Sequence, residues 1–177
     1  DLGQLARWSA HIDELPGLPE QLLARGIILV HQPAPAGARV DGCSFLLPTG
    51  HAVIGLSLRY SRLDYYWFTL MHELAHLVLH RDRLSTPIVD DLDAPEDGVV
   101  EQQANRLASD SLIPRNLWRN CEAKYSLKPE DVVEFAVELG IAPHIVAGRL
   151  RNELHRHDLF SKLVNEVNVR EMILGHA

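Results

Sequence analysis

The chain reads as an α+β protein, mostly helical, with a small sheet of about three strands beside one buried central helix and a helical region after it. Three observations predict this class. Residues 68–80 form an apolar helical stretch around His72-Glu73-Leu74-Ala75-His76. Before it come three short apolar runs, 27–30, 43–47 and 52–58, bounded by turn residues, as strands are. After Pro114 the pattern is helical, punctuated by proline and glycine. At 177 residues the chain suits one domain or one with a small appendage, and the division expected is 1–125 and 126–177.

Taken in order, Leu2, Leu5, Ala6, Trp8 and Ile12 have loose helical spacing, so 2–14 is predicted helical. Pro16, Gly17 and Pro19 break it, and a short helix over 19–25 stops at Gly26. Ile27-Ile28-Leu29-Val30 is a β-branched-rich run, and 33–37 is a Pro/Ala/Gly loop. Pro48-Thr49-Gly50 makes the turn between the second and third strands. The third strand leads almost directly into the central helix. It either borders a cleft, where it would pair with an extended substrate, or runs inside the sheet; the sequence does not separate the two. Asp64 is the expected helix N-cap. None of the tyrosines and arginines of 59–66 is assigned a catalytic role. Residues 85–98, with Asp90, Asp91, Asp93, Pro95, Glu96 and Asp97, read as an acidic loop, without the regular ligand spacing of a calcium loop.

Helices are predicted over 114–124, 129–139 and 143–155. Ala136, Gly140 and Val146 have helix-turn-helix spacing. A recognition helix there would present His144, Arg149 and Arg151, but Glu130, Asp131, Glu134 and Glu138 on the preceding helix oppose DNA. Packing or protein docking is the reading favoured for this segment. The tail, 158–177, either closes the core or mediates self-association.

Composition narrows the function classes. A formal net charge of −7 argues against a broad nucleic-acid-binding surface. Two cysteines, Cys43 and Cys121, make no disulfide framework, which fits a reducing cytoplasm. No apolar run approaches the ~20 residues of a membrane span, and no signal-peptide pattern opens the chain. The first residue is Asp1 rather than methionine, so a longer natural protein is expected. Oligomeric state is not readable.

The chemistry lies in the central helix. Histidines four apart project from one face of a helix, one turn above the other, so His72 and His76 can share one metal ion. Glu73 falls about 100° around the axis, within reach of a water on that ion. Two imidazoles with a carboxylate base is the zinc-protease arrangement. Chance alone produces His-Glu-x-x-His about 4 times in 100 in a chain of this composition, so the setting has to support the motif. It does: Trp67, Phe68, Leu70, Met71, Leu74, Ala75, Leu77 and Val78 make the helix apolar nearly all round, and histidines on a buried helix are costly unless something satisfies them. Glu101, 25 residues after His76, is the candidate third ligand, read alternatively as a first-turn glutamate complementing its helix dipole. Ala104 and Ala108 would let that helix pack closely. Asn105, one turn on, is a candidate to fix a ligand histidine's tautomer or an ordinary surface asparagine. His80 either extends the metal face or sits at the helix C-terminus for dipole reasons, the second being favoured.

Phe68-Thr69-Leu70-Met71-His72-Glu73-Leu74-Ala75-His76, then Glu101-x-x-Ala104-Asn105-x-x-Ala108, then Leu112-Ile113-Pro114 resembles the ImmA/IrrE family of bacterial metallopeptidases. The likeness runs from about Ile27 to Pro114, with Ala75 where the family has glycine and Leu107 where it has phenylalanine. It implies a zincin-like fold, zinc held by His72, His76 and Glu101, and Glu73 as catalytic base. It also implies a protein substrate, a helix-turn-helix transcriptional repressor, and DNA contact through an upstream helix-turn-helix; the spacing at Ala136, Gly140 and Val146 leaves a C-terminal one open as a second route to DNA. Two rival expectations stand beside it. One is a non-catalytic regulatory module that binds a repressor or DNA. The other is one half of a two-gene, toxin–antitoxin-like system.

Overall fold

A computed structural model describes residues 1–34, 37–93 and 98–175. Its sheet contains β1 (Ile27–His31), β2 (Gly42–Leu46), β3 (Ala52–Leu56) and β4 (Ile88–Asp90) in the order β1-β3-β2-β4. β3 runs parallel to β1 and antiparallel to β2, and β2 pairs antiparallel with β4. The β2–β3 hairpin closes through a 2.9 Å bond from Leu47 N–H to the His51 carbonyl, with Gly50 at φ 85°.

The three expected strands are present, and β4 joins them from within the stretch read as an acidic loop. Ile88 and Val89 are its only adjacent pair of large aliphatic residues, and a strand of three residues is too short to show a period. Pro95, Glu96 and Asp97 of that stretch, like Pro35 and Ala36 of the loop 33–37, lie outside the described residues. β3 is hydrogen-bonded on both sides, so it offers no open edge to a substrate. Its apolar run has that cause: Ile54 is fully buried, as interior strands are.

Against the sheet lies α3 (Leu63–Leu79), with 13 of its 17 residues buried. The sheet, α4 (Val99–Leu112) and α8 (Pro143–Glu153) all pack on it. This enclosure is why α3 is apolar nearly all round. α4 buries Ala104, Ala108 and Leu112, small residues that allow close helix approach. Asp64 is not the N-cap. The helix starts at Leu63 after an extended Arg62, and the Asp64 carboxylate is held by the Arg62 guanidinium, with Nε to Oδ1 at 3.0 Å.

The N-terminal helix is shorter than expected. α1 covers Leu2–Ala6, and tighter 3-10 turns follow over Arg7–Ala10 and Ile12–Gly17. Ser9 Oγ donates to the Ala6 carbonyl at 2.6 Å, a local bond that competes with the helical ladder. α2 (Leu18–Leu23) ends in turns at Gly26, φ 79°. The expected helix 114–124 splits into α5 (Arg115–Arg119) and α6 (Ala123–Ser126). Trp118 and Ala123 are both buried but would sit roughly 140° apart on one straight helix, so the chain bends between them.

α7 (Pro129–Leu139) and α8 follow their predicted spans closely. Gly140, at φ 68°, ends α7 while Ile141 N–H reaches the Ala136 carbonyl at 3.1 Å, a Schellman arrangement. α9 (Ser161–Val164) and α10 (Val169–Leu174) bury Val164 and Val169. Val169 N–H bonds to the Ser61 carbonyl at 2.8 Å, and Arg170 donates to the carbonyls of Leu58 and Arg59. The tail therefore closes the core over the β3–α3 connection. Val132, Ala136, Ile145, Val146, Leu150, Val164 and Val169 belong to the same hydrophobic cluster as α3 and the sheet. Among the described residues no helix is long and apolar enough to cross a membrane.

Gly148 sets how closely α8 approaches α3, since a Cβ there would lie 2.2 Å from Asp64 Oδ2. Gly148→Ala is expected to lower stability by about 1–3 kcal/mol in a denaturant titration. Gly17→Ala, where nothing lies within 4 Å, should leave the midpoint nearly unchanged.

Candidate metal centre

His72, Glu73 and His76 sit in the middle of α3 and are fully buried. The two imidazole Nε2 atoms approach to 3.0 Å. α4 brings Glu101 Oε2 to 3.2 Å from His72 Nε2 and 3.4 Å from His76 Nε2. β4 brings Asp90 Oδ2 to 3.5 Å from each of the same nitrogens. His72, His76, Asp90 and Glu101 thus form one group able to hold a metal ion. A tetrahedral ion with bonds of about 2.0–2.1 Å needs donors roughly 3.3–3.4 Å apart, and these five separations bracket that spacing.

Both imidazoles are oriented from behind. His72 Nδ1 lies 2.8 Å from Asn105 Oδ1. An amide oxygen only accepts, so Nδ1 carries the proton and the Nε2 lone pair faces the site. For His76 the chain is longer. Its Nδ1 lies 3.0 Å from His80 Nδ1, and His80 Nε2 lies 3.0 Å from Gln103 Oε1. With Gln103 accepting from His80 Nε2–H, His80 Nδ1 accepts from His76 Nδ1–H, and the His76 Nε2 lone pair also points inward. His80 is therefore not a member of the metal face; it stands at the C-terminal end of α3, as the favoured reading had it. It is buried and braces His76.

Glu73 lies beneath β2. Neither of its carboxylate oxygens has a hydrogen-bond partner, nor does the buried Ser44 hydroxyl on that strand. A Cβ at Gly42 would come 2.1 Å from Glu73 Oε1, so only glycine admits the carboxylate here. Burial, and then the charge of Asp90, push the Glu73 carboxyl well above the usual range. In the metal-free protein burial alone would lower His72, but the facing carboxylates of Asp90 and Glu101 raise it. Burial would raise Asp90, yet the facing imidazoles of His72 and His76 hold it below the usual carboxylate range. Three carboxylates around two imidazoles make a strongly cation-seeking pocket.

Beside the site is a cavity of about 230 Å³. Phe68, one turn before His72, and Ser109, one turn after Asn105, line it with Leu92, two residues beyond Asp90. Its walls include Ile113 and Ile145, and its Arg62–Asp64 and Arg149–Glu153 charges are already paired. Of the side chains expected on a recognition helix, His144 and Arg151 are buried. Arg149 is tied to Glu153 and to the carbonyls of Ser109 and Ile113.

Sequence reasoning did not single out Asp90, Gln103 or Gly42. Asp90 stood among look-alike acids, and the other two act through contacts that no local pattern encodes.

An α+β fold with a His-Glu-x-x-His helix at its centre and acidic side chains closing on the imidazoles defines a metallopeptidase-type architecture with a candidate metal centre. The chain belongs to the M78 peptidase family: the model of its IrrE N-terminal-like domain matches residues 29–151. A search of curated proteins found no match.

Two substitutions test this geometry. Asn105→Ala should weaken metal binding about 10–100-fold, read by competition with a chromophoric chelator, while the far-ultraviolet circular dichroism stays unchanged. Gly42→Ala should lower the stability of the metal-free protein by about 1–3 kcal/mol, because Glu73 must move from under β2.

Proposed function

We propose that this protein is a zinc-dependent endopeptidase. The observation that supports it best is the convergence of His72, His76 and Glu101 on one point beside Glu73, a buried carboxylate with no protein partner. Two imidazoles with inward lone pairs and a carboxylate oxygen, at tetrahedral spacing, suit zinc. Bound there, zinc supplies Lewis acidity toward a water and a substrate carbonyl.

His72, His76 and Glu101 hold the ion, and Asn105 and His80 hold the rings. Glu73 takes a proton from the attacking water as its oxygen adds to the scissile carbonyl. It then delivers that proton to the leaving nitrogen as the C–N bond breaks. The neighbouring cavity, with Phe68, Leu92, Ile113 and Ile145 among polar lining side chains, supports a substrate side chain held beside the cleaved bond. The resemblance to ImmA/IrrE peptidases supports a helix-turn-helix repressor as the protein cleaved, in the cytoplasm.

One observation favours a second reading. With Asp90 the site offers four protein donors, the number found in closed structural zinc sites. The protein would then be a regulatory module of a two-gene system that docks a repressor. Internal pairing of Arg149 and burial of His144 and Arg151 speak for a protein contact over base reading by α8.

The purified protein is expected to carry about one zinc per chain, measured by elemental analysis, and His76→Ala to lose it. Glu73→Gln should keep the zinc and abolish cleavage of a repressor encoded alongside. Undiminished cleavage by a clean Glu73→Gln preparation would overturn the assignment of the base.

A further inference from the structure

We propose that Asp90 is a fourth metal ligand that closes the site at rest, so that water and substrate reach the ion only when β4 gives that position up. The proposal rests on the metal-centre reading above and adds its regulation. Asp90 Oδ2 is equidistant, at 3.5 Å, from the two inward-facing Nε2 atoms. It is buried and has no hydrogen-bond partner. With the Nε2 lone pairs of both metal-bearing imidazoles turned inward, a metal ion between them and this oxygen satisfies all three. Asp90 is the fourth donor of the group formed with His72, His76 and Glu101. A hydrolytic site must keep a fourth position for water.

The element carrying Asp90 is built to be displaced. β4 is three residues long, and β2 is its only strand partner among the described residues. Beyond it the chain is fastened from outside. Arg59 binds Asp91 Oδ1 at 3.1 Å and Asp93 Oδ2 at 2.9 Å, and Tyr60 donates to Asp93. The Asp41 carboxylate accepts from Leu92 N–H at 2.8 Å. The Arg59 side chain is 21% exposed and that of Asp93 31%, so a docking protein that supplies its own charge to this clasp reaches it without entering the site. Solvent-accessible ion pairs of this kind are weak, so a partner can exchange them.

The test uses the full chain loaded with cobalt(II), whose visible spectrum reports its ligands. Azide is titrated into the wild type, Asp90→Ala and Arg59→Met. Asp90→Ala should respond at an azide concentration at least about tenfold below that of the wild type, and its affinity for zinc should fall about tenfold or more. Arg59→Met, with Asp90 intact, should respond between the two. If Asp90→Ala does not fold, Asp90→Asn replaces it, with the same direction expected. Cobalt binding with identical azide curves for wild type and Asp90 variants overturns the closure and leaves the metal centre standing. Failure of the wild type to bind cobalt or zinc overturns both.

Discussion

Burial of charge beneath β2 is the constraint on which the rest of the structure depends. His72, Glu73 and His76 are withdrawn from water in the centre of an apolar helix, and Asp90 is brought in beside them. Isolated ions in such surroundings are strongly destabilising, so buried charges are paired or coordinate metals. Here pairing within the protein is incomplete: Glu73 and Asp90 keep oxygens with no partner. A dication at the meeting point of the Nε2 atoms and the carboxylate oxygens would supply the missing interaction.

The surrounding fold serves this arrangement. α3 carries three of the side chains on adjacent turns, and α4 packs against it closely enough for Glu101 and Asn105 to reach the imidazoles. Gln103 reaches His80 from the same helix. The sheet supplies the opposite wall. Gly42 makes room for Glu73, and the antiparallel pairing of Gly42 with Asp90 sets β4 over the same spot. α8, held to α3 at Gly148, lines the neighbouring cavity rather than presenting a free face.

Much of this was legible in the sequence, for physical reasons. The central helix announces itself because a long apolar run rarely carries histidines at i and i+4 unless a ligand satisfies them. Glu101 and Asn105 were readable only beside that motif, since a first-turn glutamate and a helical asparagine are ordinary residues alone. The strands of the hairpin showed in their apolar runs. Asp90 was hidden because β4 is too short to have a period and lies among other acids. The interior place of β3, the role of Gly42 and the bracing of His76 by His80 and Gln103 are tertiary facts. They depend on which elements meet, which composition and spacing along the chain do not encode. Asp64 misled because an N-cap and a carboxylate paired to an arginine two residues earlier look alike in sequence.

The most direct test of the central claim is X-ray absorption at the zinc edge of the purified, zinc-loaded protein. The account predicts a four-coordinate shell of nitrogen and oxygen at about 2.0–2.1 Å, with the outer-shell scattering of two imidazoles and no sulfur. A six-coordinate shell of oxygen alone, or a spectrum unchanged by replacing His72 and His76, would contradict it.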